Sequence, residues 1–162
     1  MLRFYIACKA VKTEFNESIF NNKTSFFLGK QQIETTTRTK KVQRLAKNSK
    51  ILKVIVNAIQ EKKGENILSL DLRKIDEAVA DFFIICEATS TTQVKAIADF
   101  VDEEVKDKCG ELPFKREGIQ SLQWVLLDYV NVVVHVMLPN VRSFYKLEEL
   151  WSDAVEKVYE EA

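Results

Sequence analysis

Glycine and proline are scarce, with four and two residues among 162. That excludes a collagen-like or loop-dominated chain. Histidine occurs once, as His135, so a multi-histidine metal centre is excluded. The three cysteines, Cys8, Cys86 and Cys109, form no CxxC and no Cys/His cluster. Such an odd, sparse count points to free thiols in a reducing compartment rather than to a disulfide framework. Cys86 closes the apolar run FFIIC and reads as a small core hydrophobe. No apolar stretch reaches the ~18 residues of a membrane span, so no membrane partner is expected. Neither GxxxxGK[ST] nor GxGxxG occurs, which removes the common phosphate-binding loops.

What is present is a chain of one-domain size with 46% hydrophobic residues, enough for a core. The net charge is zero, but it is unevenly spread. Residues 1–50 hold 11 Lys/Arg against 3 Asp/Glu, and residues 51–162 hold 13 against 21. A basic front therefore precedes an acidic body. Residues 1–48 are read as a basic, disordered extension and 49–162 as the folded domain. The basic excess fits a mitochondrial presequence, while Glu14, Glu17 and Glu34 count against one. A start codon assigned too far upstream is a third reading. The expected compartment is the cytoplasm, or the mitochondrial matrix if a presequence is present.

Apolar residues Ile51, Ile55 and Ile59 recur every four positions and predict an amphipathic helix closed by Lys62-Lys63-Gly64. Ile67 to Leu72 reads as a short strand. After a connector, Phe82–Cys86 reads as a strand buried on both faces. Ser90 and Gln93 have capping-box spacing and open a second helix with Val94, Ile97, Ala98, Val101 and Val105 on one face. Gly110 is placed to take its left-handed cap. Residues 123–129 and 132–138 form an antiparallel hairpin around Val130-Asn131, where Asn131 tolerates positive φ better than Val130. Pro139-Asn140 ends the second strand. A final helix is expected to carry Phe144, Leu147, Trp151, Ala154, Val155 and Val158 on one stripe. The sum is an α/β fold, a single domain with a mixed sheet and packed helices.

Alternation splits the hairpin into two faces. Val125, Leu127, Tyr129, Val132, Val134, Val136 and Leu138 form the core face. The other face carries Trp124, Leu126, Asp128, Val133, His135 and Met137, with Trp124 opposite Met137, Leu126 opposite His135 and Asp128 diagonal to His135. Its mixture of large apolar groups with Asp and His suits a protein contact. It equally suits a face covered by a helix, with Asp128 and His135 paired inside. For His135, packing is favoured over a general base. A Ser143–His135–Asp128 arrangement lacks any nucleophile elbow. The run Asp102-Glu103-Glu104 reads as a solvated helix face. Beyond the hairpin, Arg142, Tyr145 and Glu149 share a helical face away from Phe144 and Leu147, as a rim beside the mixed face.

The run ADFFIICEATSTTQVKAIADFV, Glu117-Gly118, WVLLDYVNVVVHVM, and RSFYKLEELW with Asp153-Ala154 closely resembles the ribosomal silencing factor RsfS, or Iojap, family over about residues 50–155. The resemblance implies an α/β domain with nucleotidyltransferase-like topology and no cofactor. It also implies binding to the large ribosomal subunit through that subunit's ribosomal protein fourteen, so that joining of the small subunit is sterically blocked and translation repressed. Some relatives act in large-subunit assembly instead. The partner-contact candidates are Trp124, Asp128, His135, Met137, Arg142, Tyr145 and Glu149. A minor rRNA contact and a homodimer of the free protein are further expected partners. Ala88 and Val130 stand where the family often has Gly. An enzyme of the nucleotidyltransferase kind needs a Gly-Ser turn and then an Asp-x-Asp strand. Here Ala88-Thr89-Ser90 leads into a helix and no such strand follows, so no catalytic residue is expected.

Overall fold

A computed structural model describes Ala46 and residues 49–76 and 78–160. The expected disorder of the basic extension, and Cys8, lie outside the described residues. The order is α1 (Lys50–Glu61), β1 (Glu65–Asp71), β2 (Phe82–Glu87), α2 (Thr91–Cys109), β3 (Lys115–Glu117), β4 (Trp124–Asp128), β5 (Val132–Met137), α3 (Pro139–Tyr145), α4 (Leu147–Leu150) and β6 (Val155–Val158). Six strands form one sheet in the order β3-β4-β5-β2-β1-β6. Only β2 and β5 pair in parallel, and α2 with the β3–β4 hairpin supplies the crossover they require.

Helix α1 buries Ile51, Ile55 and Ile59 as its period predicts. Lys63, not Gly64, takes the left-handed conformation at its end (φ 58°). Gly64 is needed for close approach, because a Cβ there would lie 2.4 Å from Ile59 Cγ2. Helix α2 starts on Ser90, whose hydroxyl accepts from the Gln93 N–H at 3.2 Å. The Gln93 side chain reaches back to the Thr89 N–H (2.9 Å) and donates to the Lys63 carbonyl (2.7 Å). One amide thus caps α2 and ties it to the end of α1. At the other end Gly110 is left-handed (φ 72°) and its N–H closes on Lys106.

These two helices cover one face of the sheet. Ile55, Ile59, Val94, Ile97 and Val101 pack on Ile67, Phe82, Ile84, Cys86, Val125, Leu127, Val134 and Val136. Strand β2 is buried on both sides, as the run Phe82–Cys86 predicts.

The C-terminal segment departs from the expected single helix. It breaks at Lys146, which adopts φ 46°, and continues only through the four residues of α4. Val155–Val158 then turn back as a strand on the free edge of β1. Two β-branched valines favour that conformation, and an open sheet edge offers hydrogen bonds that a lengthened helix would forgo. Phe144, Val155 and Val158 are consequently exposed, and only Leu147 of the predicted stripe is fully buried.

Candidate functional site

The hairpin has the expected register, with Trp124 opposite Met137, Leu126 opposite His135 and Asp128 opposite Val133. Its turn differs. Val130 takes the positive φ (70°) while the Asn131 N–H closes on the Tyr129 carbonyl at 2.8 Å. This three-residue γ-turn is rare and strained for a β-branched residue. Two neighbours hold it. Asp128 Oδ1 accepts from the Val130 N–H at 2.8 Å, and the Asn131 carbonyl accepts from the Asp81 and Phe82 N–H groups at 2.9 and 3.0 Å.

The mixed face is covered. Trp124, Leu126, Asp128, Val133, His135 and Met137 are all buried. Helices α3 and α4 supply side chains for the cover, Tyr145 against Trp124 (centroids 4.9 Å apart) and Trp151, just past α4, against Phe83 (5.6 Å). The Phe83 ring meets His135 edge-on at 4.9 Å, and Tyr145 meets Phe144 at 5.1 Å. A line of rings, Trp151, Phe83, His135, Trp124, Tyr145 and Phe144, therefore runs from the end of α4 across the sheet to α3. It ends on Phe144, which is 74% exposed.

His135 takes Trp124 rather than Asp128 as its partner. The indole Nε1–H donates to Nδ1 at 3.3 Å, which leaves the imidazole proton on Nε2, an atom with no hydrogen-bond partner. Burial holds the imidazole neutral and pushes its pKa down to about 3. An imidazole so placed bonds neither Ser143 nor Asp128, and the imagined triad does not form. Burial likewise pushes the Cys86 thiol up to about 12, with smaller opposing effects of Arg142 and Glu87. It stays protonated and inert. Among the described residues no three His, Cys, Asp or Glu side chains are grouped to hold a metal.

Arg142 is turned inward as a clamp instead of standing on a rim. Its Nε donates to Glu148 Oε1 at 2.6 Å and its Nη1 to the Asn66 carbonyl at 2.7 Å, with Glu87 Oε1 3.3 Å away. Glu87 also accepts from Asn66 Nδ2 at 3.0 Å. The cover is thereby fastened to the bulged start of β1, where Asn66 has φ 49°, and to the end of β2. Glu149 lies exposed on α4 and pairs with Lys146 at 2.7 Å.

Of the seven predicted contact residues, Trp124, His135, Met137 and Tyr145 come together around the ring line. Asp128 serves the turn, Arg142 the clamp, and Glu149 stands at the surface. Phe83 and Phe144 were missed. A run buried on both faces hides which side Phe83 serves, and Phe144 follows the inward stripe of a helix that does not continue.

The profile described as "Ribosomal silencing factor during starvation" matches residues 45–162. The ribosomal silencing factor RsfS of Bacillus subtilis is 45% identical over 107 residues, covering 64% of this chain and 86% of that protein. A mouse protein named for mitochondrial assembly of the ribosomal large subunit is 36% identical over 74 residues, 44% of this chain and 32% of its own length. A crystal structure of a Chromobacterium violaceum protein, 39% identical, superposes with a TM-score of 0.60 over 63% of this chain and 83% of that one.

Proposed function

Since the chain belongs to the ribosomal silencing factor (RsfS) family, we propose that it is a non-enzymatic repressor that docks on the large ribosomal subunit through ribosomal protein fourteen and blocks the small subunit sterically. The observation that carries the choice of docking surface is the ring line that ends in exposed Phe144. An exposed aromatic backed by a packed line of rings is a low-entropy anchor. Tyr145 and Glu149 flank it and make direct contact, joined by exposed Leu150. Trp124, His135 and Met137 support it from beneath, while Asp128 and Arg142 set its geometry. Steric occlusion needs no chemical step. An interface of roughly 800 Å² per partner is within reach of a domain this size. The acidic body favours a basic protein over bare rRNA and leaves rRNA a minor contact. In the free protein the same apolar surface serves a homodimer, for which the subunit competes.

The test is co-sedimentation with isolated large subunits, followed by addition of small subunits. Binding and loss of subunit joining are expected. Phe144→Ser is expected to weaken binding by about tenfold or more, equivalent to the ~1–2 kcal/mol of an anchor. Absence of binding, or binding without any loss of joining, would overturn the reading. The similarity to the mouse assembly protein favours a second reading, an assembly factor of the large subunit. Accumulation of immature large subunits on depletion, with joining of mature subunits unaffected, would select it.

A further inference from the structure

At the opposite side of the sheet from α3 and α4, helix α2 and the segment leading into β3 enclose an open groove of about 440 Å³. Four carboxylates, Asp99, Asp102, Glu103 and Asp107, line it against two cations, Lys106 and Arg116. The carboxylates are not equivalent. Asp99 and Asp102 are bridged by Arg116 at 2.6 and 3.0 Å. Glu103 and Asp107 are exposed, and no ion pair engages either among the described residues. They stand four residues apart, where like charges repel along a helix. Asp107 also sits in the last turn of α2, where the dipole disfavours an anion. At Glu103 and Asp107 the electrostatics of the helix itself is therefore unfavourable.

Two further observations accompany the charge. Leu112 forms part of the groove wall and is 67% exposed, and Phe114, two residues on, is 78% exposed. The Phe114 N–H is held by the Asp128 carbonyl at 2.7 Å, so this apolar pair is presented from an anchored segment. Among the described residues, Asp102 Oδ1 and the hydroxyl of 95%-buried Tyr129 are buried polar atoms without a hydrogen-bond partner. Burial affects that hydroxyl most, and the charges of Asp102 and Arg116 both act on it as well. Buried polar atoms are nearly always paired, whereas Asp102 is engaged through Oδ2 alone, by Arg116.

We infer that this groove is a second docking site, for a protein segment rich in arginine and lysine that carries an apolar anchor. The basic side chains meet Glu103 and Asp107, and the anchor lies on Leu112 and Phe114. An RNA strand is the wrong occupant, since its phosphates would face an excess of carboxylates. The site lies on the other face of the sheet from the surface proposed for the large subunit, so both partners bind at once.

The probe is a fluorescein-labelled peptide of about fifteen residues repeating Arg-Lys-Leu, titrated into the full chain and followed by anisotropy. Saturable binding is expected, weakened about tenfold or more between low and high salt. Glu103→Lys with Asp107→Lys is expected to weaken it at least tenfold at low salt. Phe114→Ser is expected to weaken it while leaving the salt dependence unchanged. All three positions are exposed, and unchanged circular dichroism checks that each variant is folded. Large-subunit co-sedimentation of the Glu103→Lys/Asp107→Lys variant is expected to stay as in the parent, and its loss would overturn a separate second site. Failure to saturate below ~1 mM, a weak affinity by any standard, would overturn the inference. So would equal binding of a peptide with Glu in place of Arg and Lys, wild-type affinity in the variants, or preferred binding of oligouridylate RNA. A failed docking reading for Phe144 leaves this titration unaffected.

Discussion

The two faces of the central sheet are covered by different means. One lies under α1 and α2, helices of 12 and 19 residues, and its contacts are mainly aliphatic and β-branched. The other lies under α3 and α4, of seven and four residues, and beside buried Ile85, Leu126, Met137 and Leu147 it adds aromatic rings, an imidazole and an arginine clamp. Aliphatic burial is non-directional and adds with area. A cover made of rings and charge-assisted bonds depends on geometry, so one lost partner strands another. The first face is expected to respond to lost area, and the second also to the loss of single directed contacts.

The largest loss of stability is expected on the aliphatic face. Ile55→Ala, at a fully buried position, is expected to cost ~2–5 kcal/mol by urea denaturation, with no selective loss at α3 and α4.

Acid addresses the other face. The folded pKa of His135 lies at about 3, below its ordinary 6.5. The unfolded chain therefore binds a proton that the native state refuses. The stabilising contribution is complete above the unfolded value and is lost as pH falls from 6.5 towards 3. Each unit in that window is expected to cost about 1 kcal/mol. Denaturant midpoints measured against pH check this, and His135→Leu should flatten this part of the profile.

Arg142→Ala leaves Glu87 and Glu148 without their guanidinium and is expected to cost ~2 kcal/mol. Amide exchange should rise in residues 139–150 while α1 and α2 stay protected. Equal loss of protection on both faces would remove the distinction between them. The smallest effect is a gain. Val130→Gly relieves a positive φ on a β-branched residue and should stabilise by about 1 kcal/mol, read as a raised Tm.

Legibility followed the range of the forces concerned. Ser90 with Gln93, Gly110 at a helix end and isoleucines every fourth residue are local patterns, and α1 and α2 form as they predict. The hairpin register was readable because a slip by one residue would turn the valine face outward. Val130 was the least readable position, because its positive φ is maintained by Asp128 and by the start of β2, a strand distant in the chain. At the C-terminus Val155 and Val158 satisfy a helical stripe and a strand equally well, and the free edge of β1 decided between them.

From its residues alone the chain determined its two long helices, its doubly buried strand and its hairpin pairing, since these rest on periodicity and short motifs, and its motif series resembles the family that the profile match shows. Whether the mixed hairpin face would lie open or covered was undetermined at that level, because Trp, His and Asp suit both. Tertiary structure decided it by bending the C-terminal segment over that face. The Arg142 clamp joins residues up to 76 positions apart, and no local pattern encodes such a contact.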